Sequence, residues 1–426
     1  MLLLYFILLL ILLKKSKSIA VFFVLIQIIS LAGMYFIGLD YPLDTYFKML
    51  NLVITIVILT LIITPWRKIN KIKEITIINE IKLKKLTNFL LIISTLPFIT
   101  LLLTTIILFI YIDDINTFKY SEGVADAFYY SLPLNIKVII LSTYLYYFSY
   151  FLIPLHFYYL SKGNYKLSIL CFILSLNIIL YGLTYFSRSV FVHYSLIYIS
   201  FVVILYNTFE NKIKKYLKNA MVIAGIIFSI YFIYITNSRF TTDNLYAERI
   251  PSESFIQDPV LYSYFDYLSQ WYSNSMYELN SYNNRTFNGQ ITFQPILSLL
   301  GKYKIINYDP AKYMALKLQL WPLHWWTFNG FVAYTIYDFG YILTILFSLI
   351  YNLIVIRLRP INKKISLLNL FLIVLLIQLP LEAIFYSTTG GIVIPLLLLL
   401  PIFLYMKIYI LKREKLNNNT FIEIVK

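Results

Sequence analysis

The chain has a single cysteine, Cys171, and three histidines, His156, His193 and His324, among its 426 residues. One thiol closes no internal disulfide and builds no cysteine-based metal cluster. Three scattered histidines make no dedicated zinc site without carboxylates. Charge is scarce as well: 13% of residues are Asp, Glu, Lys or Arg, against about 25% in soluble domains. With 60% hydrophobic residues and a mean hydropathy of +0.75, a water-soluble fold could not hide its apolar surface. These deficits exclude a cytosolic enzyme, a disordered chain and a secreted disulfide scaffold. They leave an all-α polytopic membrane protein, a single transmembrane domain over 1–426.

Eleven apolar segments read as membrane helices, near 2–13, 19–39, 48–64, 89–112, 138–160, 167–186, 189–209, 219–236, 329–351, 365–385 and 390–410. The first is short for a span. Its lysines, Lys14, Lys15 and Lys17, follow the apolar run, so it does not read as a signal peptide.

Alternate loops divide the charge. One set holds 25 of the 36 basic residues with 5 acids, in Lys14–Lys17, Arg67–Lys85, Lys162–Lys166, Lys212–Lys218, Arg357–Lys364 and Lys407–Lys426. The other set, with adjoining span ends, holds 11 basic residues and 15 acids. Lysine and arginine favour the cytoplasmic side, so the N-terminus is expected outside and the C-terminus inside. The net charge of +16 is then a topology signal, with some attraction to anionic lipid heads and no nucleic-acid partner.

One long polar stretch, 237–328, falls on the sparsely basic side as an outer cap within the membrane domain. Four of the five tryptophans lie in it: Trp271, Trp321, Trp325 and Trp326. Two short helices are expected there, starting at Asp258-Pro259 and Asp309-Pro310 with Asp as N-cap and Pro at the first helical position. In the first, Leu261, Phe265, Leu268, Tyr272, Met276 and Leu279 recur at three- and four-residue steps and predict one apolar face.

Charged side chains at the membrane boundary are costly, and each is a functional candidate. Arg188 lies in the short turn Tyr185-Phe186-Ser187-Arg188-Ser189. Asp338 lies in Tyr337-Asp338-Phe339-Gly340, Glu382 near the end of the tenth segment, and Arg239 just after the eighth. His324 sits among the late tryptophans. His156 and His193 lie within apolar segments and read as core residues. Arg188 and Arg239 read equally as snorkelling anchors, and Asp338 as the salt-bridge partner of an arginine. Taken together, two arginines, a carboxylate and a histidine at one level suit an anionic ligand, because guanidinium matches phosphate oxygens in two-point contact. Aromatic rings nearby would offer apolar faces to sugars.

Ser187-Arg188-Ser189, the long late outer loop, Gly289-Gln290-Ile291-Thr292-Phe293, Leu299-Leu300-Gly301-Lys302 and Thr327-Phe328-Asn329-Gly330 leading to Tyr337-Asp338-Phe339-Gly340 together resemble bacterial O-antigen and oligosaccharide repeat-unit polymerases of the Wzy type. Members of that family often have glycine flanking the arginine, where serines stand here. The resemblance implies a glycosyltransferase of the bacterial inner membrane that moves a growing glycan from undecaprenyl pyrophosphate onto a new lipid-linked repeat unit. It implies no cofactor and no metal, lipid-linked glycans as substrates, and a chain-length regulator as a candidate protein partner.

On that basis Arg188 and Arg239, with Arg249 and Arg285 from the cap, are the candidates to hold the pyrophosphate. Asp338 and His324 are the candidates for the base that takes the acceptor hydroxyl's proton. Trp321, Trp325, Trp326 and Tyr337 are the candidates to meet sugar rings. Three alternatives use the same topology. One is an O-antigen ligase. A second is a metal-dependent enzyme using a lipid-phosphate sugar, for which Asp40, Asp44, Asp113 and Asp114 are the acids in outer loops. The third is a flippase, for which internal repeats and broken helices are the expected marks; the sequence displays neither.

Overall fold

In hydrocarbon every backbone N–H and C=O must be satisfied internally, and a long apolar segment does this most simply as a helix. The computed structural model describes residues 2–14, 18–38, 45–77, 79–112, 115, 118, 124–240, 250–320, 327–385, 392–402 and 404. Side chains at 45–48, 124–127, 228, 238–240, 311, 314, 315, 318, 319 and 382 fall outside that description.

The chain is a helical, multi-pass membrane protein. Each of the eleven apolar segments contains a helix. Eight are long and apolar enough to cross a bilayer: Ile19–Ile37, Met49–Lys68, Glu80–Tyr111, Ile136–Ser161, Tyr165–Leu183, Ser189–Thr208, Asn211–Asn237 and Gly330–Arg357. The other three, Leu2–Lys14, Leu367–Leu381 and Ile392–Ile402, are shorter.

Two contacts sort the loops by side. Glu74–Thr76 pairs in parallel with Lys364–Ser366, and Lys364 Nζ lies 2.7 Å from Glu74 Oε2. This short ladder, the one two-stranded sheet among the described residues, brings two of the basic loops onto one face. Just inside it, Trp66 Nε1 donates to Tyr351 Oη at 3.0 Å and Tyr351 donates to Leu376 O at 2.8 Å, tying three helices together in the core. At the opposite face, Phe255 N donates to Phe36 O at 3.2 Å, so the long polar stretch begins at the other end of the 19–37 helix.

That stretch holds four described helices, not two: Pro259–Ser269, Trp271–Ser281, Gln290–Lys302 and Pro310–Leu320. The first starts where expected, with Asp258 Oδ1 accepting from Leu261 N at 2.7 Å. The expected apolar face is buried only in its later part, at Met276 and Leu279; over 259–271 it is not. Leu261 and Leu268 are exposed, while Tyr262, Ser263, Tyr267 and Trp271 are buried. Depth explains the inversion. Ser30 Oγ donates to Leu268 O at 2.5 Å and accepts from Trp271 Nε1 at 2.6 Å. Ser30 lies seven residues before Ile37, about 10 Å along the helix axis. The 259–271 segment is therefore sunk beside the 19–37 helix, where hydrocarbon receives leucine as readily as a protein core does. Gly33 allows the approach, because a Cβ there would run into the Ser269 hydroxyl.

The helix Gly330–Arg357 is broken. Gly340 has φ 76° and ψ 172°, a backbone region essentially confined to glycine. Thr344 Oγ1 donates to Thr335 O at 2.8 Å, and the rings of Phe331 and Phe347 lie 6.2 Å apart. In a straight helix sixteen residues span about 24 Å, so the chain folds back at Gly340. Residues 330–338 are all buried, whereas 341–357 presents Ile342, Leu346, Ile350 and Leu353 outward. The ninth segment, expected as one continuous span, is a buried half-helix followed by a lipid-facing one. Non-helical backbone at this depth is tolerated only inside protein or beside a cavity.

Candidate functional site

The turn carrying Arg188 is set by its neighbours. The preceding helix ends at Leu183. Phe186 takes a left-handed φ of 48°, and Ser187 N donates to Gly182 O at 2.9 Å. Glycine is required at 182, since a Cβ there would lie 2.6 Å from Val190 Cβ. Ser187 and Ser189 hydroxyls bond each other at 2.8 Å, and Arg188 opens the helix Ser189–Leu205. Its side chain is only 7% exposed. Nη1 donates to Thr236 Oγ1 at 2.7 Å, and the guanidinium carbon lies 4.8 Å from the Phe232 ring centre and 5.1 Å from that of Tyr267. Such cation–ring contacts contribute about 0.5–2 kcal/mol each. Arg188 thus joins the 189–205 helix, the Asn211–Phe240 helix and the sunken Pro259–Ser269 helix. It is not a snorkelling anchor.

A second constellation lies on the next helix. Gln270, Asn274 and Glu278 follow at four-residue steps and share one face. Asn274 Nδ2 donates to Gln270 Oε1 at 3.1 Å and to Phe328 O at 3.0 Å, and Phe328 N donates to Gln270 Oε1 at 3.2 Å. This polar row fixes the chain entering the half-helix. Glu278 is wholly buried and lies within electrostatic reach of Lys317 and Tyr337. Burial pulls the Lys317 ammonium below its ordinary pKa, and the Glu278 carboxylate acts in the opposite sense. Neither residue was singled out from the sequence. The four-residue polar period was the available signal for Glu278; Lys317 had none.

Asp338 occupies the fold-back. Its Oδ1 accepts from Ile291 N at 3.0 Å and its Oδ2 from Thr292 N at 2.8 Å, while its carbonyl accepts from Gly289 N at 3.2 Å. A carboxylate at a helix N-terminus meets free N–H groups and the positive end of the dipole. Asp338 therefore anchors the Gln290–Lys302 helix to the half-helix. Among the described residues its carboxylate is held by the Ile291 and Thr292 N–H groups and the Thr292 side chain, so the alternative reading of Asp338 as an arginine's salt-bridge partner is not what holds it here. Both oxygens are engaged and wholly buried, so neither is open to a substrate hydroxyl.

Tyr337 is likewise not an open sugar platform. It is buried, its hydroxyl donates to Glu278 O at 2.9 Å, and its ring meets Tyr282 and Phe287. Arg285 is exposed on the segment leading to Gly289. Trp271 is buried and bonded to Ser30. His156 is a core residue: its Nδ1 donates to Ser168 O at 3.0 Å and its Nε2 lies 3.0 Å from Tyr198 Oη.

Arg249, Trp321, His324, Trp325 and Trp326 lie outside the described residues, as do Asp40, Asp44, Asp113, Asp114 and the side chains of Arg239 and Glu382. The structure brings Arg188 to the Phe232, Thr236 and Tyr267 side chains, and Asp338 and Tyr337 to the 278–292 segment. Among the described residues no three of His, Cys, Asp and Glu come together to hold a metal ion. Comparison with protein-family models, with curated proteins and with solved structures finds no match to this chain.

Proposed function

We propose that this protein is a polysaccharide polymerase of the bacterial inner membrane that joins undecaprenyl-pyrophosphate-linked repeat units on the outer face. The observation that carries this reading is the buried Arg188 guanidinium where two membrane helices meet the sunken 259–269 helix. A permanent cation at that level suits a lipid-linked diphosphate, whose tail lies in the bilayer and whose cargo lies outside. In this reading the chain crosses eleven times, with the N-terminus outside, and 237–328 forms the extracytoplasmic side of the site.

As the glycosidic bond to the carrier breaks, positive charge develops at the anomeric carbon and negative charge on the departing diphosphate. A fixed guanidinium stabilises that negative charge, and loss of one such donor costs about 3–4 kcal/mol. Arg239, Arg249 and Arg285 are the further candidates for this task. A base must reach the acceptor hydroxyl within hydrogen-bond distance. With both Asp338 oxygens engaged by Ile291 and Thr292, His324 is the stronger candidate, and Asp338 positions the 290–302 helix.

The fold-back at Gly340 favours a second reading, since discontinuous helices are a mark of transporters. A reconstituted assay separates the two. Purified protein given lipid-linked repeat units should lengthen them without added nucleotide sugar or metal. Movement of unlengthened units between leaflets would favour the transporter, and attachment of glycan to a lipid A core would favour a ligase.

A further inference from the structure

Three membrane helices are interrupted at one level. Glu80–Tyr111 carries Pro97, which has no N–H to return to the Ile93 carbonyl. Ile136–Ser161 passes through a 3₁₀ stretch, Tyr146–Phe151, of 6 residues, where runs beyond about three or four are uncommon and mark hinges. Tyr165–Leu183 breaks after Ser175 at Leu176, and Asn177 opens its second part. One side chain joins all three helices. Asn177 Nδ2 donates to Ser94 O at 2.8 Å and to Ser149 Oγ at 2.9 Å, and all three residues are wholly buried.

The Ser94 carbonyl only accepts, so it fixes the amide nitrogen toward itself and turns Asn177 Oδ1 away. Among the described residues that oxygen and the Ser94 hydroxyl have no hydrogen-bond partner. A helical serine commonly returns its hydroxyl to the carbonyl one turn back, as Ser200 does to Leu196 at 2.7 Å; Ser94 does not. An acceptor and a hydroxyl left so, half-way along apolar spans, are costly, and they stand on two residues already in contact. They suit a ligand that accepts one proton and gives another. Water fits, because a buried water makes about three hydrogen bonds. One is accepted from Ser94, one is donated to Asn177 Oδ1, and the second proton is left for the neighbouring Ile93 carbonyl.

Beyond this level the packing is separate. Leu108, Phe118, Tyr129, Ile139 and Phe186 belong to a cluster distinct from the main core, at the ends of these helices remote from the basic loops. Tyr129 donates to Thr184 O, and the rings of Phe118 and Phe186 lie 5.7 Å apart. The remote ends therefore hold to one another.

We propose that Ser94 and Asn177, steadied by Ser149, bind a water molecule at a joint, about which the remote ends of the three helices move as one body against the rest of the bundle. Neither the water site nor the joint depends on the function proposed above.

The test uses full-length protein in phosphatidylcholine nanodiscs. Electron cryomicroscopy at a resolution that shows ordered water should place a peak within about 3.2 Å of both Asn177 Oδ1 and Ser94 Oγ. X-ray radiolysis in isotopically labelled water should mark side chains beside a bound water. Tyr146 is the reporter, one 3₁₀ turn from Ser149 and stacked at 4.3 Å on Tyr181, which lies one turn from Asn177. It should be labelled well above Tyr351, which is also buried but bonded to Trp66 and Leu376. Asn177→Leu should lower the Tyr146 labelling about tenfold, the occupancy change for one lost hydrogen bond. The wild-type measurements need no variant and so survive a folding defect. Spin labels at the exposed Ile110 and Ile92, on either side of Pro97, report the motion against a third label at exposed Leu353. Distances from Leu353 should be spread more widely for Ile110 than for Ile92. No peak at the two atoms, Tyr146 labelled no more than Tyr351, or equal spreads of distance would each overturn the proposal.

Discussion

Residues 330–338 and 341–357 belong to one apolar stretch, yet their surroundings are opposite. The first nine are buried on every side, while the second set turns Ile342, Leu346, Ile350 and Leu353 outward. Hydropathy is the same currency for both, because lipid and protein interior accept an isoleucine alike. The difference lies in how many faces are held: the first half is held at its start, its middle and its end. Gly330 N donates to Phe385 O and Phe331 N to Ala383 O, Tyr337 donates to Glu278 O, and Asp338 holds the 290–302 helix. The outward half bonds its neighbours through side chains on one face only, Tyr341 to Asn51, Tyr351 to Leu376 and Asn352 to Leu61.

Substitutions can break this comparison at its joints. Gly330→Ala should be the most damaging. Its φ is +68°, and the new Cβ would lie 2.7 Å from Trp271 Cε3 and 2.9 Å from Ala383 O. The ring is fixed by Ser30 and the carbonyl by Phe331 N, so strain and collision add to about 3–5 kcal/mol. Thermal unfolding in detergent should show little folded protein.

Ile336→Ala and Ile342→Ala form a matched pair. Ile336 is wholly buried and its truncation should cost about 2–5 kcal/mol. Ile342 is 82% exposed, and the same change there should stay within about 0.5 kcal/mol. Equal losses in thermal stability would remove the distinction between the halves.

Gly340→Ala should fall below Ile336→Ala and above Ile342→Ala. The nearest atoms to a new Cβ, Thr286 Cγ2 at 3.6 Å and Tyr282 Oη at 3.7 Å, are at ordinary contact distance. The cost is conformational alone, about 1–3 kcal/mol, and cysteine cross-links between positions 335 and 344 should weaken with it.

Smallest of all is Glu74→Gln on the basic face. Lys364 holds the Glu74 carboxyl below its ordinary pKa by hydrogen bond and charge. Its contribution is present above the unfolded carboxylate's pKa and is lost as pH falls through the lower folded value. The pair is exposed, so the variant should differ slightly from wild type near neutral pH and not at all well below about pH 4 in a thermal-shift series.

Much of this was legible in the amino-acid order. Every apolar segment contains a helix, and two loops placed on one side by their basic residues do pair, through Glu74–Thr76 and Lys364–Ser366. Asp258-Pro259 starts a helix as its capping chemistry predicts. The fold-back was hidden because Gly340 sits in a stretch hydrophobic enough to span and only its φ and ψ reveal the break. The sunken 259–271 segment was misread because an apolar face was assigned to the protein core, when hydrocarbon takes Leu261 and Leu268 equally well. At the site, Arg188 was legible from its place in a short turn between apolar runs. Glu278 was not, because a carboxylate in a polar loop looks solvated until the fold encloses it.

The central claim is that Arg188 holds the diphosphate of a polyprenyl carrier. Its most direct test is the affinity of purified, nanodisc-embedded protein for undecaprenyl diphosphate, compared among wild type, Arg188→Lys and Arg188→Ala variants of confirmed fold. The account predicts partial weakening in Arg188→Lys, which keeps the charge but loses the planar fork, and a loss of roughly a hundredfold in Arg188→Ala. An unchanged affinity in Arg188→Ala, with polymer of normal length still made, would contradict it.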